Sequence, residues 1–315
     1  MKRFLVLVFT LLSLILLSSC EVGGAVGLLD SQKEITVNFV IGSETVKKTF
    51  ASREAISYPD VPEVEYKIFA GWYYDKEGER PAYLGTTTDS EITLYAHYTF
   101  DYESAINDIS TKYIKAAVGI KTTHPSLSSS QKVVMGSGVI FKEFDNRYYV
   151  LTNYHVVKNN GVYSGAEYKV IDCYGTSYSA HLVASNAEYD LALLSFVKGE
   201  TSLCAIELSE NAADVSDTVI SIGTPSGLEN NVTFGSITKI AELDKSESSV
   251  ARLPFAVIWH DAPVDHGSSG GVLLGEDLKI VGINYAVGTA PTSGEFICGL
   301  AVPLERVLEF LENNQ

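Results

Sequence analysis

The hydrophobic rhythm of this chain changes several times along its length, and each change predicts a different kind of element. A nearly continuous apolar run, Phe4 to Leu17, follows Lys2 and Arg3. Its 14 residues fall short of the roughly 20 that a helix needs to cross a bilayer, which predicts a secretory leader. Residues 21 to 33 are Gly-rich and predict a tether. From Ile35 the pattern turns to apolar and polar positions in alternation, bounded by Pro, Gly and Asp: Ile35 to Ile41, Thr45 to Phe50, Lys67 to Tyr74 and Glu91 to Tyr98. Further β-branched and aromatic runs follow over Lys132 to Lys142, Arg147 to Leu151, Tyr168 to Cys173, Ser177 to Val183, Thr218 to Gly223 and Lys279 to Ala286. The period of two gives way once more at the end. Pro303 to Asn313 opens on a proline suited to a first helical position and spaces Leu304, Val307, Leu308 and Leu311 along one face, predicting a terminal helix.

Three short segments carry candidate chemistry, each placing a reactive side chain at the edge of a β-type run or in a Gly-rich turn. Leu151-Thr-Asn-Tyr-His155-Val-Val is followed about 35 positions later by Tyr189-Asp190-Leu-Ala-Leu-Leu194, and about 80 after that by His266-Gly-Ser-Ser269-Gly-Gly271. A serine hydroxyl is a weak nucleophile at neutral pH and needs an imidazole to take its proton, which makes His155 the expected base and Ser269 the nucleophile. The imidazole needs its other nitrogen held as a donor, and Asp190 is the expected orienter. Glycines around Ser269 suit a tight turn whose amides converge on one point, so Gly267, Ser268 and Ser269 form the expected oxyanion site. Taken alone, each segment also reads blandly: a flexible loop, a strand-end histidine, a turn aspartate. Their joint order favours peptide-bond hydrolysis.

Residues 115 to 313 resemble a trypsin-fold serine protease of the HtrA (DegP-like) type. The resemblance rests on Gly136-Ser-Gly-Val-Ile-Phe141, Leu151 to Val157, Asp190 to Leu194, Ile222-Gly-Thr-Pro-Ser-Gly-Leu228, Asp261 to Gly271 and Ile280-Val-Gly-Ile-Asn284. It implies two six-stranded antiparallel barrels with the active site between them. Where such proteases usually have Pro-Gly-Asn before the nucleophile, this chain has His266-Gly267-Ser268. The resemblance also implies a substrate pocket lined by Ala262, Pro263, Val264, Asn284, Tyr285 and Ala286. No carboxylate is expected among those residues, so the pocket is expected to take small aliphatic side chains.

The end of the leader, Leu17-Ser-Ser-Cys20, resembles the lipobox of bacterial lipoproteins, which implies lipidation of Cys20 and an extracytoplasmic protein held at the bacterial cell membrane. Phe69-Ala-Gly-Trp-Tyr-Tyr-Asp75 followed by Ile92-Thr-Leu-Tyr-Ala-His-Tyr98 resembles one internalin-type B repeat, a spacer or ligand-binding module. Its aromatics Trp72, Tyr73, Tyr74, Tyr95 and Tyr98 are expected to pack in a core. The expected organisation is a leader over 1–19, a tether over 20–33, a small β-rich domain over 34–100 and an all-β, trypsin-like double barrel with its terminal helix over 101–315.

Composition narrows the partners. The formal charge of -16 becomes -18 without Lys2 and Arg3, and no Lys/Arg cluster offers nucleic acid a basic patch. With Cys20 assigned to lipid, Cys173, Cys204 and Cys298 remain; three cannot all pair within one chain, so buried thiols and at most one disulfide are expected. No metal-ligand spacing or phosphate-cradling loop is present, and no cofactor is expected. Two functional readings remain open: a membrane-anchored endopeptidase acting on polypeptides, and a catalytically weak relative whose cleft binds extended peptide while the small domain binds a surface ligand.

Overall fold

The computed structural model describes residues 33–83, 85–87, 89–124, 132–158, 165–224, 230–243, 252–290 and 292–314. The leader, Cys20, the tether up to residue 32 and positions 225–228 of the Ile222 to Leu228 segment lie outside the described residues. Strands dominate. The described residues fall into two compact units, one running to Val61 and including Ala70–His97, the other made of Pro62–Phe69 and the chain from Tyr98 onward.

The N-terminal sheet is built on β1 (Glu34–Ile41), β2 (Glu44–Ala51), β3 (Lys67–Tyr73) and β4 (Glu91–Phe100), in the order β2-β1-β4-β3. β1 and β2 form an antiparallel hairpin around Gly42, whose φ of +59° suits a residue without a Cβ. β1 and β4 pair in parallel, from Thr36 opposite Glu91 to Val40 opposite Tyr95. Alternation along β1 buries Ile35, Val37 and Phe39 on one face. Trp72 joins them, its ring edge-on to Phe39 at 4.9 Å. Tyr73, Tyr74, Tyr95 and Tyr98 are half-buried.

After that sheet comes α1 (Tyr102–Thr111), capped by Asp101, whose carboxylate accepts the Ser104 amide over 3.1 Å. Next come β5 (Ala117–His124), β6 (Lys132–Phe144), β7 (Arg147–Thr152), the one-turn helix α2 (Tyr154–Val157), β8 (Glu167–Ile171), β9 (Ser177–Asn186) and β10 (Leu191–Val197). These six strands close a barrel in the order β10-β7-β6-β5-β8-β9. A second barrel, in the order β11-β12-β13-β16-β15-β14, uses β11 (Thr218–Gly223), β12 (Asn231–Ala241), β13 (Val257–His260), β14 (Val272–Leu274), β15 (Ile280–Thr289) and β16 (Phe296–Pro303). Closure leaves neither barrel with an open edge. The fold class is the expected all-β double barrel with a terminal helix and an N-terminal β-rich unit.

Burial explains why β10 reads as an unbroken apolar run. Leu191 to Phe196 are buried on both faces, one set inside the barrel and the other beneath packed chain that includes α2. The terminal helix, α3 (Leu304–Glu312), differs from its expected face: Leu304, Val307 and Phe310 are buried, whereas Leu308 is 38 % exposed. Rotation toward Phe310 places the bulkier ring in the core, and Leu311 packs only at its margin.

Candidate active site

β7 ends at Thr152, and the chain turns at once into α2, which carries His155. Asp190 stands immediately before β10, the strand that pairs with β7, so the closed barrel itself makes the two residues neighbours. Their contact is double. The His155 amide donates to Asp190 Oδ1 over 2.9 Å, and ring Nδ1 meets Oδ2 at 2.7 Å. A carboxylate accepts only, so Nδ1 carries the proton and Nε2 is left with the lone pair. Asp190 is 5 % exposed and adopts left-handed backbone at φ +51°, a conformation that disfavours most side chains. Surrounding bonds hold it there: its carbonyl accepts the Tyr154 amide over 3.1 Å and the Asn153 side-chain amide over 2.9 Å.

Ser269 comes from the second barrel, in the turn before β14. Gly267 and Gly270 take φ of +96° and +86°, which bend the turn tightly. The turn is stitched to β15 by Gly270 N–H to Asn284 O at 2.8 Å and Asn284 N–H to Gly271 O at 2.9 Å. It is closed on itself by Gly271 N–H to Ser268 O at 2.8 Å and Ser268 N–H to Asp265 O at 3.0 Å. The last bond corrects the expected oxyanion set. The Ser268 amide is already committed, which leaves Gly267 and Ser269 as the backbone donors of the turn.

His155 and Ser269 line one cavity of about 240 Å³, together with Val264, Asp265, His266, Ser268, Asn284, Tyr285, Ala286 and Val287. Four of the six expected pocket residues are among them. Ala262 and Pro263 are not: Ala262 is packed in the core of the second barrel, and the Pro263 carbonyl is turned to the Thr233 hydroxyl at 2.8 Å. Besides the expected residues, exposed Asp265 and the adjacent exposed His266 also line the cavity. Val287 joins the apolar wall because β15 continues past Ala286, to Thr289.

Behind the cavity lies a buried polar chain. Asn284 donates its side-chain amide to Ser221 Oγ over 2.8 Å and presents Oδ1 to His260 Nε2 at 3.0 Å. The other His260 ring nitrogen faces the Ala262 carbonyl at 3.1 Å. Burial drives the His260 pKa down to about 4, against opposing pulls from these hydrogen bonds and from Asp261, so the ring is neutral at pH 7. Cys173 and Cys204 are free thiols whose pKa burial raises, and Cys298 is buried in the second barrel. Among the described residues no group of three or more His, Cys, Asp or Glu is placed to hold a metal ion, and no helix is long and apolar enough to cross a membrane.

Comparison with known proteins turns on the same segments. Residues 136–283 match the family model of the trypsin-like peptidase domain. The chain carries a trypsin-like peptidase domain. Ahead of it, residues 36–97 match the Listeria-Bacteroides repeat domain. Serine protease Do-like HtrA of Bacillus subtilis is 37 % identical over 152 residues, 47 % of this chain and 32 % of that protein. Periplasmic serine endoprotease DegP of Escherichia coli is 31 % identical over 176 residues, 56 % of this chain and 34 % of that protein. The chain thus spans about a third of the length of these relatives. Among solved structures, one titled HtrA-type protease AlgWS227A with tripeptide aligns at a TM-score of 0.53 and 26 % identity, covering 66 % of this chain and 62 % of the other.

Proposed function

We propose that this protein is an extracytoplasmic serine endopeptidase that hydrolyses peptide bonds through an acyl-enzyme, with Ser269 as nucleophile, His155 as general base and acid, and Asp190 as orienter. The observation that carries the reading is the doubly bonded His155–Asp190 pair opening onto the same cavity as Ser269. On substrate binding, His155 Nε2 takes the Ser269 proton as Oγ attacks the scissile carbonyl. The carbonyl oxygen becomes an oxyanion between the Gly267 and Ser269 amides, where one donor typically contributes roughly 3 kcal/mol to the transition state. The imidazolium, stabilised by Asp190, then protonates the leaving amine, and the acyl-enzyme remains. Water enters by the same base and releases the new carboxyl terminus.

Val264, Ala286 and Val287 give the pocket an apolar wall suited to small aliphatic side chains, with Asp265 and His266 as polar groups on its lining. The lipobox-like Leu17-Ser-Ser-Cys20 supports acylation of Cys20 and retention at a bacterial membrane. On this reading residues 20–33 act as a tether, residues 34–100 as a spacer or ligand-binding domain and residues 101–315 as the protease.

Fluorophosphonate labelling tests the chemistry directly. The wild-type protein is expected to be modified at Ser269, and Ser269→Ala to abolish the label. A wild-type protein unlabelled between pH 6 and 9 would overturn the endopeptidase reading in favour of a peptide-binding cleft. For the anchor, Cys20→Ala is expected to release the protein from membranes into the soluble fraction; retention would sink it.

A further inference from the structure

Ser137 belongs to the segment Gly136-Ser-Gly-Val-Ile-Phe141, which supplies neither member of the His155–Asp190 pair nor the nucleophile. It lies in β6 of the first barrel and is 0 % exposed. A serine buried to that extent must have its polar atoms paired. Every one is paired, and most of the bonds cross to the second barrel. Its N–H donates to Ser269 O over 2.7 Å. Its hydroxyl donates to Gly267 O over 2.6 Å and accepts the Thr224 amide over 2.7 Å. Its carbonyl accepts the Thr152 hydroxyl over 2.7 Å.

We propose that Ser137 is the positioning residue of the oxyanion site, acting from the opposite barrel through the peptide that joins Gly267 to Ser268. This inference rests on the endopeptidase reading above. Gly267 sits at φ +96° and, lacking a Cβ, does little to restrain its own backbone. Its orientation is therefore set from outside. The Gly267–Ser268 peptide is gripped at both ends: Ser137 Oγ holds its carbonyl, and Asp265 O holds its N–H at 3.0 Å. With that plane fixed, one of the two torsions that aim the Gly267 N–H across the α-carbon is set. Loss of the hydroxyl strands the half-buried Gly267 carbonyl and the buried Thr224 amide together, and the peptide turns to regain partners. The backbone bonds from residue 137 to Ser269 and Thr152 survive such a change, so the nucleophile stays attached while the anion site loses its aim.

The test compares Ser137→Ala with wild type in the full chain, using the best-cleaved member of a quenched-fluorescent peptide library. Expected are a KM within about twofold of wild type and a kcat lower by on the order of 10²-fold, the loss that follows removal of an oxyanion donor. Affinity for the matching peptide aldehyde, which forms an oxyanion, should fall by the same factor, and affinity for the corresponding alcohol should not change. A folded variant with wild-type kcat and aldehyde affinity, altered only in thermal midpoint, would overturn the proposal. Should the alanine variant not fold, Ser137→Cys keeps nearly the same shape with a weaker donor and is expected to lose at least about tenfold in kcat; wild-type kcat there overturns the proposal equally. Fluorophosphonate labelling of the wild type separates the two failures. An unlabelled wild type sinks the endopeptidase reading, and a labelled one with an unaffected variant sinks only the role of Ser137.

Discussion

The hydroxyl of Ser269 donates to the carbonyl of Tyr285 over 3.3 Å, the one hydrogen bond it makes among the described residues. The proposed nucleophile therefore rests against the cavity wall and has to swing to the imidazole of His155 before it can attack. A neutral bond of that length holds it only weakly, by about 0.5–1.5 kcal/mol at most. Without His155 nothing draws the hydroxyl forward or takes its proton. His155→Ala and Ser269→Ala are each expected to lower kcat by on the order of 10⁶-fold, and the double variant to be no worse than the poorer single one. Additive losses in single-turnover assays would show that the two residues do not act as a unit.

Asp190 offers a cleaner substitution than either. Asn tolerates left-handed backbone better than most residues, so Asp190→Asn at φ +51° should cost about 1 kcal/mol or less in stability. Its carbonyl oxygen can still accept the His155 amide. It cannot keep the imidazole in the same tautomer with the same electrostatic support, and kcat is expected to fall about 10⁴-fold. Denaturant unfolding and steady-state kinetics on one preparation separate the two effects; parallel losses of stability and rate would count against an orienting role.

Gly270 bears on the scaffold and not on the chemistry. It holds φ at +86°, and a Cβ there would run into Ser137 O and Thr152 Oγ1. Left-handed backbone and overpacking against barrel backbone both penalise Gly270→Ala, by at least about 2 kcal/mol together. Urea unfolding checks it, and a midpoint within error of wild type would mean that the turn is far more pliable than its bonds suggest.

His260 makes stability depend on acid. Its folded pKa of about 4 lies below the ordinary 6.5, so the unfolded chain binds the proton more readily. Stability from this group is complete above pH 6.5 and drains away as pH falls toward about 4, by about 3 kcal/mol in all. Asp261 is the neighbouring carboxylate that opposes the shift. Urea unfolding at pH 7 and pH 4 should give a smaller difference for His260→Gln than for wild type. Equal differences would show that the ring does not carry the effect.

How much of this was legible beforehand depends on how far apart the interacting atoms lie in the chain. His155, Asp190 and Ser269 announce themselves locally, because each reactive residue sits where a strand pattern breaks. The β runs around them are equally local. Helix α1 escaped notice because only Ala105 and Ile109 bury themselves, too narrow a stripe to show a helical period. Strand β16 escaped because Gly299 breaks its apolar run and Pro303 closes it. The committed Ser268 amide, the inward turn of Ala262 and the pairing of Ser137 with Gly267 could not be read at all. Those depend on tertiary bonds, the last spanning 130 positions, and a Gly-Ser-Gly stretch looks the same in a strand with or without them.

The parallel pairing of β1 with β4 has a mechanical corollary. Because the two strands run the same way side by side, the start of one and the finish of the other lie at opposite ends of the sheet. Tension between residues 33 and 101 would slide the strands lengthwise, loading every rung from Thr36–Glu91 to Val40–Tyr95 at once instead of peeling them singly. Such shear geometry resists rupture, so the small sheet would transmit force to the chain on either side of it while staying folded itself.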